Sequence, residues 1–362
     1  MRIETTHPDL RRSAAAVTIF LLVCGVAGLW ASGNQEMKLK KGKINLGAVH
    51  ITFEPSYLYQ GVEYNTFDRA YRREIDQIAR EHNVNFIHVE GGSDIDPSGY
   101  AVQELLDLGV DGIVIFQNEP GMAPGLVAKA QAAGVPVIVH GLQPQQPEQV
   151  PSVDFDEYGS CEDLGKAVAE NLFLRNVVTG VARVLVLSTR TDQTDTARAD
   201  GFVAGFRSLV PGAQFLNQVQ TTGNVESAAE IVAASLEQTP RVNIIFATTD
   251  LQAEGAMAAL NRFSPGDPER NVILASVGGS REAMLQLLQP NSPWKAEVGL
   301  AIRDFADQSY KVMTGMIKGE IPMRQDKAYL VKSPVFVQPT REQVQQYLQQ
   351  NHDEQLPPDS GK

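Results

Sequence analysis

From residue 44 onward the chain alternates short, mostly apolar runs with longer amphipathic stretches. The runs fall at 44–49, 85–89, 112–116, 135–139, 183–187, 215–219, 243–247 and 272–277, and Val and Ile dominate them. Between them lie helix-length patterns with apolar positions three and four apart, over 67–81, 99–108, 122–132, 161–174, 196–209, 225–236, 251–263 and 281–288. A strand that is apolar throughout is covered on both faces, so this succession predicts parallel strands flanked by helices. The fold class is therefore α/β. Pro144, Pro147 and Pro151 interrupt both periods, because proline lacks the donor that either ladder needs, and they mark a loop between two similar halves.

The N-terminal pattern differs. Arg11 and Arg12 precede an uncharged apolar stretch that ends in small and polar residues, the layout of a secretory signal peptide over 1–33. Three outcomes fit it. Ala31-Ser32-Gly33 supplies small residues before a cut near Asn34; Leu21-Leu22-Val23-Cys24 has the outline of a lipidation site at Cys24; and the 18 residues of 14–31 just suffice to span a bilayer as a retained anchor. Each implies export, to a periplasmic or other extracytoplasmic location. Arg11-Arg12 reads as basic flank rather than a twin-arginine signal. At the other end, 351–362 reads as a flexible tail.

Charge and cysteine content narrow the partners. With 31 basic against 43 acidic residues the net charge is −12, which disfavours nucleic acid, because that affinity comes from neutralised phosphates. The two cysteines, Cys24 and Cys161, supply neither a disulfide framework nor a redox pair, and Cys161 on a helical pattern reads as a buried residue. No GxGxxG after a strand, no GxSxG elbow and no HExxH occurs, so no catalytic residue, cofactor or metal is expected.

Open parallel sheets bind ligands at the carboxyl ends of their strands. Here those ends deliver His50, Glu90, Gln117 to Glu119 and His140 in the first half. In the second they deliver Ser188 to Arg190, Thr221-Thr222, Thr248 to Asp250 and Gly278.

Gly109-Val-Asp-Gly-Ile-Val-Ile115 followed by Ala133-Gly-Val-Pro-Val-Ile138 resembles the paired-strand signature of the periplasmic sugar-binding proteins of the ribose and galactose type, whose fold is also the effector domain of LacI-type repressors. Further matches follow in family order: Val153-Asp-Phe-Asp-Glu-Tyr158, Arg198-Ala-Asp-Gly-Phe202, Asn243 to Asp250 before Ala253-Glu-Gly-Ala256, and Val277-Gly-Gly-Ser280. The resemblance spans about residues 43–340 and implies a type I periplasmic binding protein: two Rossmann-like, doubly wound parallel-sheet lobes on a three-segment hinge. Lobe 1 is then expected over 43–154 with about 300–328, and lobe 2 over 155–299 with about 329–350, with crossings near Asp154, Leu300 and Ala328. It further implies a monomeric receptor that closes on a small, carbohydrate-like ligand and delivers it to the membrane permease of an ABC importer. The apolar leader stands where the DNA-binding helices of a repressor would be.

The site residues of the resemblance transfer less well. The Asn-Pro-Phe-Phe segment of the ribose type corresponds to Asn65-Thr66-Phe67-Asp68, and the Asp-Arg pair after the fourth strand to Gly141-Leu142. Thr249, Gly278 and Leu300 stand where an Asn, an Asp and a Gln are usual. Sites built to bond hydroxyls discriminate through those groups, so their loss changes specificity more than fold. The expected ligand-binding set is His50, Tyr57, Phe67, Asp68, Glu90, Phe116, Gln117, His140, Arg190, Thr222, Thr249 and Asp250. Tyr57, Phe67 and Phe116 are there for stacking, although aromatics also build cores. His50 and His140 fit a loop-backbone hydrogen bond as well as a ligand contact, and no tight spacing links either to Glu90 as a zinc site. Asp250 precedes a helix and fits an N-cap; Arg198 reads as structural, whereas Arg190 suits a ligand anion. A second functional reading stays open, a sensory or orphan binding protein for a non-sugar ligand such as a nucleoside, acting on a membrane receptor or kinase.

Overall fold

The computed structural model describes residues 42–50, 58–59, 62–91, 95–116, 123–141, 149–173, 181–189, 193–216, 219–238, 242–263, 272–353 and 355–356. The expected leader over 1–33 lies outside them. Residues Leu39–Lys362 form one compact unit that holds every element below.

In chain order these are β1 (Asn45–His50), a hairpin of β2 (Leu58–Tyr59) and β3 (Val62–Glu63), α1 (Tyr64–Glu81), β4 (Asn85–Glu90), α2 (Ile95–Leu108), β5 (Gly112–Phe116), α3 (Ala123–Ala132), β6 (Val137–His140) and β7 (Ser152–Phe155). There follow α4 (Glu157–Val168), continued by a π-helical turn over Ala169–Phe173, then β8 (Arg183–Ser188), α5 (Gln193–Leu209), β9 (Gln214–Phe215), β10 (Val219–Gln220), α6 (Val225–Gln238), β11 (Ile244–Ala247), α7 (Asp250–Phe263), β12 (Ile273–Gly278) and α8 (Arg281–Leu287). The chain closes with β13 (Trp294–Gly299), α9 (Ile302–Ile317), β14 (Ala328–Val331), β15 (Val335–Val337) and α10 (Arg341–His352).

Two sheets result. The first runs β14-β7-β6-β5-β1-β4 and is parallel throughout. The second runs β10-β8-β11-β12-β13-β15, parallel except for the β13–β15 pair. Strand order reverses at β1 in the first sheet and at β8 in the second, so the crevices that open α/β sheets offer to ligands lie at the carboxyl ends of β1 and β5 and of β8 and β11. The chain passes from the first sheet to the second after β7, returns between β13 and α9, and crosses again between β14 and β15.

Each sheet is covered on both faces, as the mostly apolar runs require. On the first, Phe67, Tyr71 and Phe305 of α1 and α9 pack against Phe116 and Phe155, while Leu105 and Val127 of α2 and α3 cover the other face. On the second, Phe202 and Phe206 of α5 pack on Phe246, and helices α6, α7, α8 and α10 enclose Leu274 and Trp294 opposite. The α4–α5 crossing needs glycine: a Cβ on Gly201 would stand 2.3 Å from Tyr158 O, and one on Gly205 would stand 1.9 Å from Glu162 O. That gives the Arg198 to Phe202 motif a packing reason.

Several helices start earlier than their apolar period. α1, α4 and α5 begin at Tyr64, Glu157 and Gln193, because first turns are rich in polar and capping residues that show no period. The single run over 215–219 is divided into β9 and β10, which pair with β8 in registers one residue apart.

Candidate ligand-binding site

Parallel register fixes which residues share a row across the first sheet. His50 is level with Glu90, Phe116 with His140, and His140 with Val153. Neighbours in a parallel row point to the same face, and here that face is the one under α1 and α9. His50, Phe116 and His140 are consequently buried beside Phe67, also buried. Phe116 stacks on His50 at 5.0 Å between centroids and meets His140 edge-on at 4.8 Å. Tyr71 and Phe305 complete the cluster around His140, at 5.6 and 4.6 Å. In this structure Phe67 and Phe116 therefore form the floor beneath the carboxyl edge.

The histidines there are held neutral. Burial pushes His140 down to about 3 and outweighs the hydrogen bond from its Nδ1 to Val153 O, 3.1 Å away. Its Nε2 lies 3.1 Å from Ser309 Oγ. Burial likewise pushes His50 down to about 4, against the pull of Asp68.

A polar chain leads from this floor to the surface. His50 Nδ1 is 2.6 Å from Asp68 Oδ1 and its Nε2 is 2.8 Å from His88 Nδ1, while His88 Nε2 is 3.0 Å from Asp76 Oδ1. All three contacts are hydrogen bonds only when one of the two imidazoles carries both of its protons. Arg72 donates to Asp68 and to Glu90, both at 2.6 Å. Burial acts to raise the Asp68 carboxyl, but His50 and Arg72 together hold it below its usual range. Asp68, Arg72 and Glu90 thus form an ordered charged rim beside the ends of β1 and β4.

The edge of the second sheet is polar inside as well as out. Asp195 accepts hydrogen bonds from the hydroxyls of Ser188 and Thr248, and the Gln252 amide sits between Thr248 Oγ1 at 2.9 Å and Thr221 Oγ1 at 2.8 Å. Arg198 is buried, grips Glu157 through Nε and a terminal nitrogen at 2.6 and 2.8 Å, and donates to Thr248 O at 3.0 Å. On the opposite face Glu297 is fully buried, and burial together with the Asp250 charge raises its carboxyl well above the usual range. The Ser276 hydroxyl stands between the two acids, within hydrogen-bond reach of Glu297 Oε2 and of Asp250 Oδ1, the latter at 3.0 Å. Asp250 Oδ2 accepts from Ser280 N at 2.7 Å, so this carboxylate holds the entrance of α8 rather than capping its own helix. Thr249 does that, its Oγ1 accepting from Gln252 N at 3.4 Å.

The expected site residues separate accordingly. His50, Phe67, Asp68, Glu90, Phe116 and His140 gather at one edge of the first sheet; Thr222, Thr249 and Asp250 lie along the edge of the second. Of these nine, Glu90 and Thr222 are exposed. Tyr57, Gln117 and Arg190 lie outside the described residues. Sequence reasoning missed Arg72, although its place four residues after Asp68 is ion-pair spacing on a helix. It also missed Glu297, whose signal was an acid set among Trp294, Ala296 and Val298. Among the described residues no group of three metal-binding side chains occurs, and no helix is long and apolar enough to cross a membrane.

A family model described as a periplasmic binding protein domain matches residues 60–320. The chain is 22% identical over 286 residues to the ABC transporter periplasmic-binding protein YphF of Escherichia coli (strain K12), covering 77% of this chain and 83% of that one. Among solved structures, it resembles an ABC transporter periplasmic solute binding protein from Actinobacillus succinogenes 130z with bound D-allose. That match has 18% identity and a TM-score of 0.65, and it covers 84% of this chain and 100% of the other. It also resembles an ABC transporter solute binding protein from Bacillus halodurans C-125 with bound myo-inositol, at 17% identity and a TM-score of 0.62, covering 86% and 99%. At these identities the likeness shows the fold: two doubly wound parallel-sheet lobes joined by a three-segment hinge.

Proposed function

The chain belongs to the family of periplasmic binding protein domains, and from that premise we propose that it captures a small, polyhydroxylated solute between its lobes outside the cytoplasm and delivers it to the permease of an ABC importer, acting as a monomer. The observation that carries this reading is the pairing of two sheets, each reversing strand order at its ligand-binding edge, on a hinge of three segments. The relatives support the ligand class, since the structures named above hold D-allose and myo-inositol. Asp68, Arg72 and Glu90 add a charged rim suited to hydroxyl groups, with oxygens to accept and a guanidinium to donate. Binding energy then shifts the population toward the closed arrangement, the form a permease can distinguish.

A thermal-shift screen of the exported chain against pentoses, hexoses, polyols, nucleosides and amino acids tests this. A sugar or polyol at 100 times its dissociation constant stabilises the protein by about 2.7 kcal/mol. A response to nucleosides or amino acids with silence across every sugar and polyol contradicts the ligand class.

A further inference from the structure

Buried polar side chains almost always find a hydrogen-bond partner. Among the described residues two buried side-chain atoms have none, Asp154 Oδ2 and Ser333 Oγ. Both belong to passages between the lobes: Asp154 stands on β7 just before the first, and Ser333 lies between β14 and β15 in the third. Among the described residues, the hinge is thus where the buried side-chain hydrogen bonding is left incomplete.

Asp154 is the more informative of the two. Because His140 pairs with Val153, Asp154 lies one step beyond the last residue of β6, level with Gly141 and past the row of His50, Phe116 and His140. Val153 and Phe155 face the α1–α9 core, so alternation sends the Asp154 side chain to the opposite face. There its Oδ1 accepts from Gly141 N at 3.1 Å, which holds the carboxyl group at the ligand-binding edge of the sheet. Gly141 has φ +89°, a conformation that disfavours a side chain. One oxygen is therefore anchored and oriented while the other, enclosed at 6% exposure for the residue, has no partner. An aspartate left this way costs stability, and such costs persist where a site is held ready for a ligand.

We propose that Asp154 is a ligand-contacting residue of the hinge, its free carboxylate oxygen accepting a hydroxyl of the polyhydroxylated solute as the lobes close. This rests on the solute-binding reading above and adds a contact at the base of the cleft. Lobe opening is the motion that gives the solute access to it, so occupancy and hinge angle are coupled at one residue. Burial raises the carboxyl to about 7, against Ser152 and the Gly141 N–H, so the acceptor form is gained across neutral pH. The groups around it are few. Glu157 at the start of α4 acts on it across the hinge and is itself tied to Arg198; His140 on β6 turns to the opposite face; and β14 brings Leu330 level with it.

The test compares wild type with D154N and D154A by calorimetric titration with D-allose, D-ribose, D-galactose and myo-inositol at pH 6 and pH 8, alongside thermal melting without solute. The expected result is at least about tenfold weaker binding of the responding probe by D154N, the loss of a charged hydrogen bond. Wild-type affinity should be higher at pH 8 than at pH 6 and that of D154N level across both, while the variant melts no lower than wild type at pH 8. A residue with a merely structural role instead lowers the melting temperature and leaves affinity alone. Wild type that binds a probe, with D154N and D154A within twofold of it, overturns the assignment and spares the solute-binding reading. Wild type that binds none of the four overturns the polyhydroxylated ligand class and this assignment together.

Discussion

In lobe 1 the row at the carboxyl edge, His50, Phe116 and His140, turns under the sheet and becomes aromatic floor; in lobe 2 the same edge is finished by Ser188, Thr248, Asp250 and Ser276, each hydrogen bonded to a neighbouring side chain. Both sheets obey one topological rule, yet one builds its edge on packing and the other on buried polar networks. A packed aromatic floor tolerates volume changes poorly and is indifferent to salt and pH except through its two histidines. A polar network is sensitive to any member that loses its partner, and it can push a carboxyl well above its usual range, as burial and Asp250 do to Glu297. The charged rim of Asp68, Arg72 and Glu90 rests on the first kind of foundation, and the loops that enter α7 and α8 rest on the second.

Four measurements can break this contrast. The largest effect belongs to the floor: Phe116→Ala removes a ring that contacts His50, Phe67, Tyr71 and His140, and it should cost about 3–5 kcal/mol in chemical denaturation. A loss below about 1 kcal/mol would show that the row is loosely packed. Next, Ser276→Ala removes the hydroxyl between Asp250 and Glu297 and should cost about 1–3 kcal/mol, in keeping with a buried polar group left unsatisfied.

The third is a pH slope. His140 is pushed down to about 3 in the folded chain, whereas an unfolded histidine titrates near 6.5. Between those values the unfolded state binds a proton that the folded state does not, so acidification below about 6.5 favours unfolding. The expected slope is up to about 1.4 kcal/mol per pH unit for each such histidine. His140→Gln should lose its share of that slope, and an unchanged profile would mean that the ring is reached by solvent. Glu297 works in the opposite sense: its folded carboxyl holds a proton that the unfolded one releases above about 4.5, so wild type loses stability as pH rises. Glu297→Gln, of equal shape and neutral, should change stability by less than about 1 kcal/mol at pH 5 and become the more stable protein as pH rises. A variant that is less stable at every pH would show the carboxyl to be ionised.

The strands at 112–116 and 244–247 were legible because every residue in them is apolar, the mark of a strand covered on both faces. β13 was not, since Lys295 and Glu297 break its apolar run and only the enclosed position of Glu297 explains an acid there. The carboxyl-end rule named His50, Phe116 and His140, which the structure brings together at one edge of the first sheet. It could not say which face each would take, because that depends on the row they share and on α9, a helix that returns from the far side of the hinge. Asp154 shows the same limit from the other side. The alternation in Val153-Asp-Phe-Asp156 separates the faces, but its unpartnered oxygen emerges only once β6 ends beside it at Gly141.

The proposed function requires that the two lobes close on a polyhydroxylated solute. Small-angle X-ray scattering of the purified protein, with and without the sugar or polyol that stabilises it most in the thermal screen, measures this directly. Closure gives a smaller radius of gyration at saturation. A saturated protein whose radius is unchanged would contradict it.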